Sequence, residues 1–369
     1  MSYLLAILLI NLFVLLLCSL LTIAGRLLQQ SGRVLLKVNE RESEVDCGQT
    51  LLASMAQQGT FLPAACGGKG TCGRCQVKIE MGGGHPTALE RLQLTPAQIA
   101  ALMRLACQVR VREDIRVMVA AELMTARAYR ARLLRSEPAG PDIRLLSFAL
   151  DADQRLEFLP GQYMQVVFNQ PWERVLRAYS ISSAPSLQNE FSLDVQRIDG
   201  GLVSTYLHEL QPGSVIEVTG PFGEMTLQPQ HNETTLVLVA GGVGLAPIRS
   251  MIAQLQQHGF KSPVLLFHGA RSRENLYFES YFRDLARNFA NFCYFPALSQ
   301  PMLEDGWTGQ KGMIHQILEL QLQSMPISEP GAAAFICGPA PMMQAVTKVL
   351  VAKGLASDRI MTDPFDFNI

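Results

Sequence analysis

Three cysteines stand close together in "AACGGKGTCGRCQV" (residues 64–77): Cys66, Cys72 and Cys75, spaced C-x5-C-x2-C. A fourth, Cys107 in "RLACQV", follows after 31 intervening residues. Thiolates are soft ligands, and four of them satisfy a [2Fe–2S] cluster. A loop wrapped round such a cluster must aim backbone N–H groups at the sulfurs, which Gly67, Gly68, Gly70 and Gly73 permit by reaching positive φ. The rival is a four-cysteine zinc site. Zinc ribbons pair two C-x2–4-C knuckles, however, and here the fourth cysteine stands alone. Cys47 and Cys293 read as small core residues, and Cys18 as a lipid-facing or packed side chain.

Other stretches have the chemistry to hold phosphates. "RAYS" places Arg177, Tyr179 and Ser180 in a β-rich region, and "GGLVSTYL" offers Gly201 followed by Ser204 and Thr205 at the start of a helix. Free N–H groups and hydroxyls at a helix start suit a pyrophosphate. "VLVAGGVGLAPIRS" runs from a buried strand through Gly241, Gly242 and Gly244 into a helix expected to begin at Pro247. It lacks the six-position G-x-G-x-x-G spacing, yet glycines before a helix N-terminus let backbone approach a phosphate in the same way. "FICGPAPMM" puts Cys337, with Gly338 and Pro339, at the C-terminal end of a strand, where ligands bind in open α/β sheets. Each stretch also has a plain structural reading: an exposed strand arginine, a strand-to-helix turn, a buried cysteine before a Gly-Pro turn. The six histidines show no metal-ligand spacing, and neither G-x-S-x-G nor H-E-x-x-H occurs, so hydrolase chemistry has no support.

The elements that must position these residues fall into four segments. Tyr3 to Ala24 is a run of 22 residues without a charge. At about 1.5 Å per residue it reaches roughly 33 Å, enough to cross a bilayer core. Thr22 and Ala24 would suit signal cleavage, but no Lys or Arg precedes the run and it exceeds a signal-peptide core, so we read it as an uncleaved anchor over 1–25. Arg26, Arg33 and Lys37 follow, and the positive-inside rule then puts the rest in the cytoplasm, single-pass in the inner membrane. In that reducing compartment clustered cysteines are metal-binding or catalytic rather than disulfide-bonded. A linker (26–32) leads to a small β-rich unit (33–124). There "TLLASMAQQG" reads as a helix capped by Thr50, and "CQVKIEM" and "LACQVRV" as strands. Short runs such as "IRLLSFAL" and "YMQVVF", punctuated by Gly-Pro turns, imply a barrel over 126–230. From 231 to 369, continuous apolar strands alternate with amphipathic helices, the pattern of a doubly wound parallel sheet. "ENLYFES" at 274–280 continues that pattern as native sequence. With 31 basic and 32 acidic residues mixed along the chain, no charge field points to nucleic acid.

Taken together, the motifs resemble the ferredoxin-reductase family, with its R-x-Y-S and G-x-x-S for FAD, G-G-x-G-x-x-P for the nicotinamide nucleotide and C-G-P at the nicotinamide end. With the anchor and cysteine unit, the whole chain is similar to the F subunits of sodium-translocating NADH:quinone reductases. Local matches are "GARSREN", "ALSQPMLEDGWTG" and "GMIHQIL". It departs from them where only "MQVVFNQPWERVL" separates "PGQY" from "RAYS", and in its ending "TDPFDFNI"; in the first respect it is closer to oxygenase reductases.

The resemblance implies a β-grasp [2Fe–2S] domain with Cys66, Cys72, Cys75 and Cys107 as ligands, an antiparallel β-barrel FAD domain, and a doubly wound NAD domain. It implies that Arg177 contacts the FAD pyrophosphate, Tyr179 lies against the flavin and Ser180 hydrogen-bonds near its N5. Gly201, Ser204 and Thr205 would hold phosphates, and Gly241, Gly242, Gly244 and Pro247 would cradle NADH. Cys337, with Gly338 and Pro339, would stand beside the nicotinamide, and Phe365, or in competition Phe367, would cover the flavin. Electrons would pass from NADH to FAD, to the cluster and to membrane-embedded acceptor subunits. The alternatives are a reductase for a membrane-bound oxygenase, and an electron-carrying adaptor without NADH turnover. NADH rather than NADPH rests on the resemblance: Arg271 and Arg273 would welcome a 2′-phosphate, and Glu274 would repel it. Sodium translocation and quinone reduction would reside in partners.

Overall fold

A computed structural model describes residues 2–28, 32–170, 174–302, 306–325, 327 and 331–365. The chain divides into two compact units, Met1–Met124 and Thr125–Ile369. Phe367 and part of the expected linker lie outside the described residues.

The first unit opens with helix α1, Ser2–Leu28. Its described side chains, Tyr3 and those of 5–20, are exposed although almost all are apolar. Among the described residues no helix is long and apolar enough to cross a membrane. The expected transmembrane helix is thus a feature of the sequence that the described structure does not supply.

Five strands follow: β1 (Arg33–Val38), β2 (Arg41–Asp46), β3 (Gln76–Met81), β4 (Met103–Leu105) and β5 (Ile115–Met118). They form one sheet in the order β2-β1-β5-β3-β4, with β1 and β5 parallel and the other pairs antiparallel. Helix α2 (Leu51–Gln57) is capped by the Thr50 hydroxyl, which accepts from Ala53 N at 3.2 Å. Its first N–H groups, from Leu51 and Leu52, donate to the carbonyls of Val109 and Ala106, so the helix start is satisfied by the segment that carries Cys107. The "LACQVRV" stretch is not the expected strand: β4 stops at Leu105, and Gln108 N turns back to donate to Leu105 O at 2.8 Å. That turn projects Cys107 out of the sheet. Between β3 and β4, Pro96 splits the helical stretch into α3 (Ala88–Gln93) and α4 (Pro96–Ala100), each closed by a capping box.

The second unit begins with β6 (Arg127–Pro138), β7 (Ile143–Leu150), β8 (Tyr163–Asn169), β9 (Arg174–Ser180), β10 (Glu190–Gln196) and β11 (Val215–Phe222). Their order is β10-β7-β6-β11-β8-β9, antiparallel throughout, round a core that includes Leu146, Phe148, Val166, Leu193 and Val218. The expected barrel is not closed. Edge strands β9 and β10 meet only at the isolated bridge Ile181–Leu193, because beyond it the chain turns into "SSAPS" and Ser183 Oγ, not a backbone carbonyl, receives the Ser192 N–H. Helix α5 (Leu202–Glu209) follows β10.

Next come β12 (Thr235–Gly241), α6 (Leu245–Gln257), β13 (Val264–Ala270), α7 (Glu279–Asn288), β14 (Phe292–Leu298), β15 (Gln310–Lys311), α8 (Ile314–Ser324), β16 (Ala332–Pro339), α9 (Ala340–Ala352) and β17 (Ile360–Phe365). The sheet is parallel, in the order β15-β14-β13-β12-β16-β17. Alternate residues of each strand feed opposite cores. Leu236, Leu238 and Phe335 pack with Ile248 and Met251 of α6 and Phe282 of α7, whereas Val237, Val239 and Ile336 pack with Leu318 of α8 and Val346 of α9. Two buried faces explain the unbroken apolar strands. Chain progression reverses between β12 and β16, so the switch point of the sheet lies at their C-terminal ends.

Candidate functional site

The four cysteines converge as two pairs. Hydrogen bonding between Cys72 and Cys66 lowers Cys66 and, with burial, raises Cys72; the bond between Cys75 and Cys107 in the same way lowers Cys107 and raises Cys75. The loop supplies the donors that thiolates need. Backbone N–H groups of Thr71 and Cys72 point at the Cys66 sulfur, that of Arg74 at Cys72, and that of Gly70 at Cys107. Gly70 reaches φ +79°, a left-handed conformation that glycine adopts without strain, and its missing side chain leaves room for the end of Gln108. Among the described residues no three His, Cys, Asp or Glu side chains are grouped to hold a single metal ion.

A buried ion pair props the second cysteine pair. Arg104 Nε and Nη2 donate to Glu90 at 2.8 and 2.9 Å, Leu105 N donates to the same carboxylate at 3.0 Å, and Arg104 caps the carbonyls of Gly83, Gly84 and His85. Burial alone would raise the Glu90 carboxyl, but the Arg104 hydrogen bonds and the Thr87 and Leu105 N–H groups hold it below the usual carboxylate range. Next to Leu105, Ala106 N donates to Cys75 O at 2.9 Å, tying the loop to the strand that precedes Cys107. Cys47 and Cys293 are half-buried, and Cys293 packs against the core of the parallel-sheet domain.

In the second unit, Arg177 and Tyr179 lie two apart on β9 and so share a face, opposite Val166 and Met164 of β8. Tyr179 packs against the barrel core, and burial raises its phenol well above the ordinary value, only partly offset by the Arg177 charge. Ser180 is buried at the end of β9, in register with Tyr163. Gly201 caps α5. The Ser204 hydroxyl does not face open space: it accepts from Ile198 N and donates to Gly201 O, both at 3.2 Å, fastening the loop that precedes α5. Thr205, on the first turn of α5, is partly exposed.

The nucleotide motifs meet at the switch point. Gly241 ends β12, Gly242–Gly244 forms a single 3-10 turn, and α6 starts at Leu245 rather than at the expected Pro247, which sits in the first turn where proline's missing N–H costs nothing. Gly242 adopts φ +57°, and the place of its Cβ is open space. Gly244 instead packs on the carbonyl of Cys337, and Gly338, at φ +151°, abuts Gly241. The Cys337 thiol is fully buried and donates to Asp363 O at 3.2 Å. Phe365 closes β17 in register with Pro339. The strand β10 joins the two clusters: it touches the Gly242–Gly244 turn on one side and bridges Ile181, next to Ser180, on the other.

Sequence reasoning passes over Asp194, Arg249, Tyr277, the Glu90–Arg104 pair and His268. Two of them carry a signal along the chain, a polar residue within an apolar run: Asp194 in "FSLDVQRI" and His268 in "VLLFHGA".

Three family models match in order: the 2Fe-2S iron-sulfur cluster binding domain over 36–112, the oxidoreductase FAD-binding domain over 130–227 and the oxidoreductase NAD-binding domain over 238–348. The F subunit of a Na(+)-translocating NADH-quinone reductase from Neisseria meningitidis is 30% identical over 99% of this chain and 100% of its own length. Its counterpart from Methylococcus capsulatus is 31% identical over 90% of this chain and 92% of its own. Among solved structures, an Amycolatopsis cytochrome P450 reductase, GcoB, superposes with a TM-score of 0.71 at 26% identity, covering 90% of this chain and 98% of that one. The ferredoxin reductase of a carbazole 1,9a-dioxygenase system shares the fold with a TM-score of 0.69 at 23% identity, covering 91% and 99%. The chain thus carries the [2Fe–2S], FAD and NAD modules of a flavin and iron–sulfur oxidoreductase, and it belongs to the family of the Na(+)-translocating NADH-quinone reductase F subunits.

Proposed function

We propose that the chain is a membrane-anchored NADH dehydrogenase module that passes electrons from NADH by way of FAD to the cluster and on to a membrane partner. The observation that carries this reading is the presence in one chain, in order, of 2Fe-2S, FAD-binding and NAD-binding domains, a one-electron carrier fused to a flavin and nicotinamide module. Cys66 and Cys72 would hold one iron, Cys75 and Cys107 the other. Bound FAD supplies the change from two-electron hydride donation to one-electron release.

The chain's own residues position and enclose. Arg177 would neutralise the FAD pyrophosphate while the free N–H groups at the start of α5 and the Thr205 hydroxyl receive its oxygens; Gly201, whose own N–H donates to Ile198 O, would let the backbone come close. Ser204 would act by holding that helix start. Tyr179 would lie against the flavin, and the Ser180 hydroxyl would donate near N5. Gly241, Gly242, Gly244 and Pro247 would admit the NADH phosphates, with Gly338 and Pro339 at the nicotinamide end. Cys337, its proton directed to Asp363 O, would stand beside the nicotinamide C4, and Phe365 would cover the flavin. NADH is preferred because the relatives are named for it, and Arg273 is already drawn towards Glu279 at 4.0 Å. The test is NADH:ferricyanide reductase activity of the purified, FAD-loaded protein. Absence of NADH-dependent reduction would refute it.

Residues Tyr3–Ala24 would anchor the chain in the inner membrane, with everything after Arg26 on the cytoplasmic side; the uncharged run and the exposed leucines of α1 support this. Deleting residues 1–28 is then expected to release the protein from membranes with NADH:ferricyanide activity intact, and continued membrane retention would refute the anchor. The partner would be a set of membrane-embedded acceptor subunits. A second reading, a reductase for a membrane oxygenase, is favoured by the short β8–β9 connection, in which Asn169 pairs directly with Arg174. Co-purification from detergent-solubilised membranes distinguishes the two.

A further inference from the structure

A buried charge cluster, to which none of the expected nucleotide-binding residues belongs, fastens the antiparallel sheet to the parallel-sheet domain. The Asp194 side chain, on β10, is 0% exposed. Arg249 Nη1, from α6, donates to its two oxygens at 2.6 and 2.8 Å, and the Tyr277 hydroxyl donates to Oδ2 at 3.2 Å. The Arg249 guanidinium is itself fixed, with Cζ 3.7 Å from the centroid of the Phe278 ring. Next to it, Ser250 Oγ donates to Ser183 O at 2.7 Å, a second tie between α6 and the barrel.

Each arm of this cluster ends at a different part of the site. Asp194 follows Leu193, whose backbone bridges Ile181, the residue after Ser180. Arg249 lies two residues beyond Pro247, on the helix whose start forms the nucleotide cradle. Tyr277 belongs to the same buried core as Cys337. Buried ion pairs are weak sources of stability, and apolar replacements often serve as well. Their use is to fix geometry, and here the geometry fixed is that between the strand ending at Ser180 and the cradle.

We propose that Asp194 is a positioning residue for hydride transfer: through Arg249 and Tyr277 it sets the register of the nicotinamide cradle against the flavin strand. The proposal rests on the NADH-to-FAD reading above. Losing the carboxylate leaves both binding sites built but lets α6 shift against β10, and a misplacement of about 1 Å can cost on the order of 100-fold in rate without a matching loss of binding.

The test is stopped-flow reduction of the flavin by NADH in the full-length holoprotein, comparing wild type with Asp194→Asn and Asp194→Glu. In Asp194→Asn, FAD and cluster content should match wild type and the apparent Kd for NADH should change little, while the flavin reduction rate falls roughly 10- to 100-fold. Asp194→Glu should recover part of that loss. Wild-type reduction kinetics in Asp194→Asn overturn the proposal, as does a rate loss that merely follows lost FAD content. Should Asp194→Asn fail to fold, Tyr277→Phe removes one hydrogen bond to the same carboxylate and should still slow reduction several-fold; an unchanged rate there is equally fatal. If wild-type flavin is not reduced by NADH at all, it is the functional reading that fails.

Discussion

Gly244 and Cys337 stand back to back across the switch point: a Cβ on Gly244 would lie 2.3 Å from the Cys337 carbonyl oxygen. The obstacle is backbone, which cannot rotate aside as a side chain can. Gly244→Ala must therefore push β16 away from the start of α6 and disturb the cradle and the thiol together. We expect a loss of about 1–3 kcal/mol in stability, the usual cost of overpacking, together with a raised KM for NADH. Thermal melting and steady-state kinetics check both, and a wild-type KM in a folded variant would show that the two backbones need not touch.

Glu90 and Arg104 make a complementary case in the first unit. Glu90→Gln keeps the shape but leaves a buried guanidinium without its counter-charge, and breaking a buried pair from one side costs about 3–5 kcal/mol. Because Leu105 and Ala106 lead directly to Cys107, cluster retention should fall with it, read as a lower visible-to-protein absorbance ratio. The native carboxyl is held below its unfolded value, so its contribution is present above that value and is lost as pH falls through the folded one. Cluster loss on acidification should accordingly be steeper in wild type than in Glu90→Gln.

His268 is fully buried on β13, with Nδ1 at 3.1 Å from the Tyr294 hydroxyl and Nε2 without a partner among the described residues. Burial lowers its pKa to about 3, against about 6.5 in the unfolded chain. As pH falls the unfolded state takes up the proton first. The stability linked to His268 is therefore complete above about pH 6.5 and declines towards pH 3, by at most about 1.4 kcal/mol per pH unit. His268→Phe, among Tyr277, Phe282 and Tyr294, should flatten the dependence of melting temperature on pH between 6 and 4. An unchanged slope would mean that other groups govern it.

Much of this arrangement is legible in the sequence because its local chemistry is one-dimensional. Thr50 caps α2, Gly241 to Gly244 break β12 from α6, and the unbroken apolar runs of β12 and β16 report a strand buried on two faces. The chain hides what depends on pairing between distant segments. Whether β9 and β10 close a barrel is decided by Ser183 and its neighbours taking over one edge, and "LACQVRV" alternates like a strand but turns to present Cys107. Ser204 stands at a helix start as a phosphate ligand would, yet its hydroxyl is engaged by Ile198 and Gly201. Asp194 shows along the chain only as a polar residue in an apolar run; folding brings Arg249 and Tyr277, 55 and 83 positions away, to its carboxylate.

The relay itself is tested most directly by Cys66→Ala in the purified protein, following NADH-driven flavin reduction and the reduction of a one-electron acceptor that draws on the cluster. The FAD-binding and NAD-binding domains match within Thr125–Ile369, whereas the cysteine loop belongs to Met1–Met124. Flavin reduction should therefore proceed at the wild-type rate while acceptor reduction is abolished. Acceptor reduction at the wild-type rate would contradict the account, since electrons would then leave the protein without the cluster.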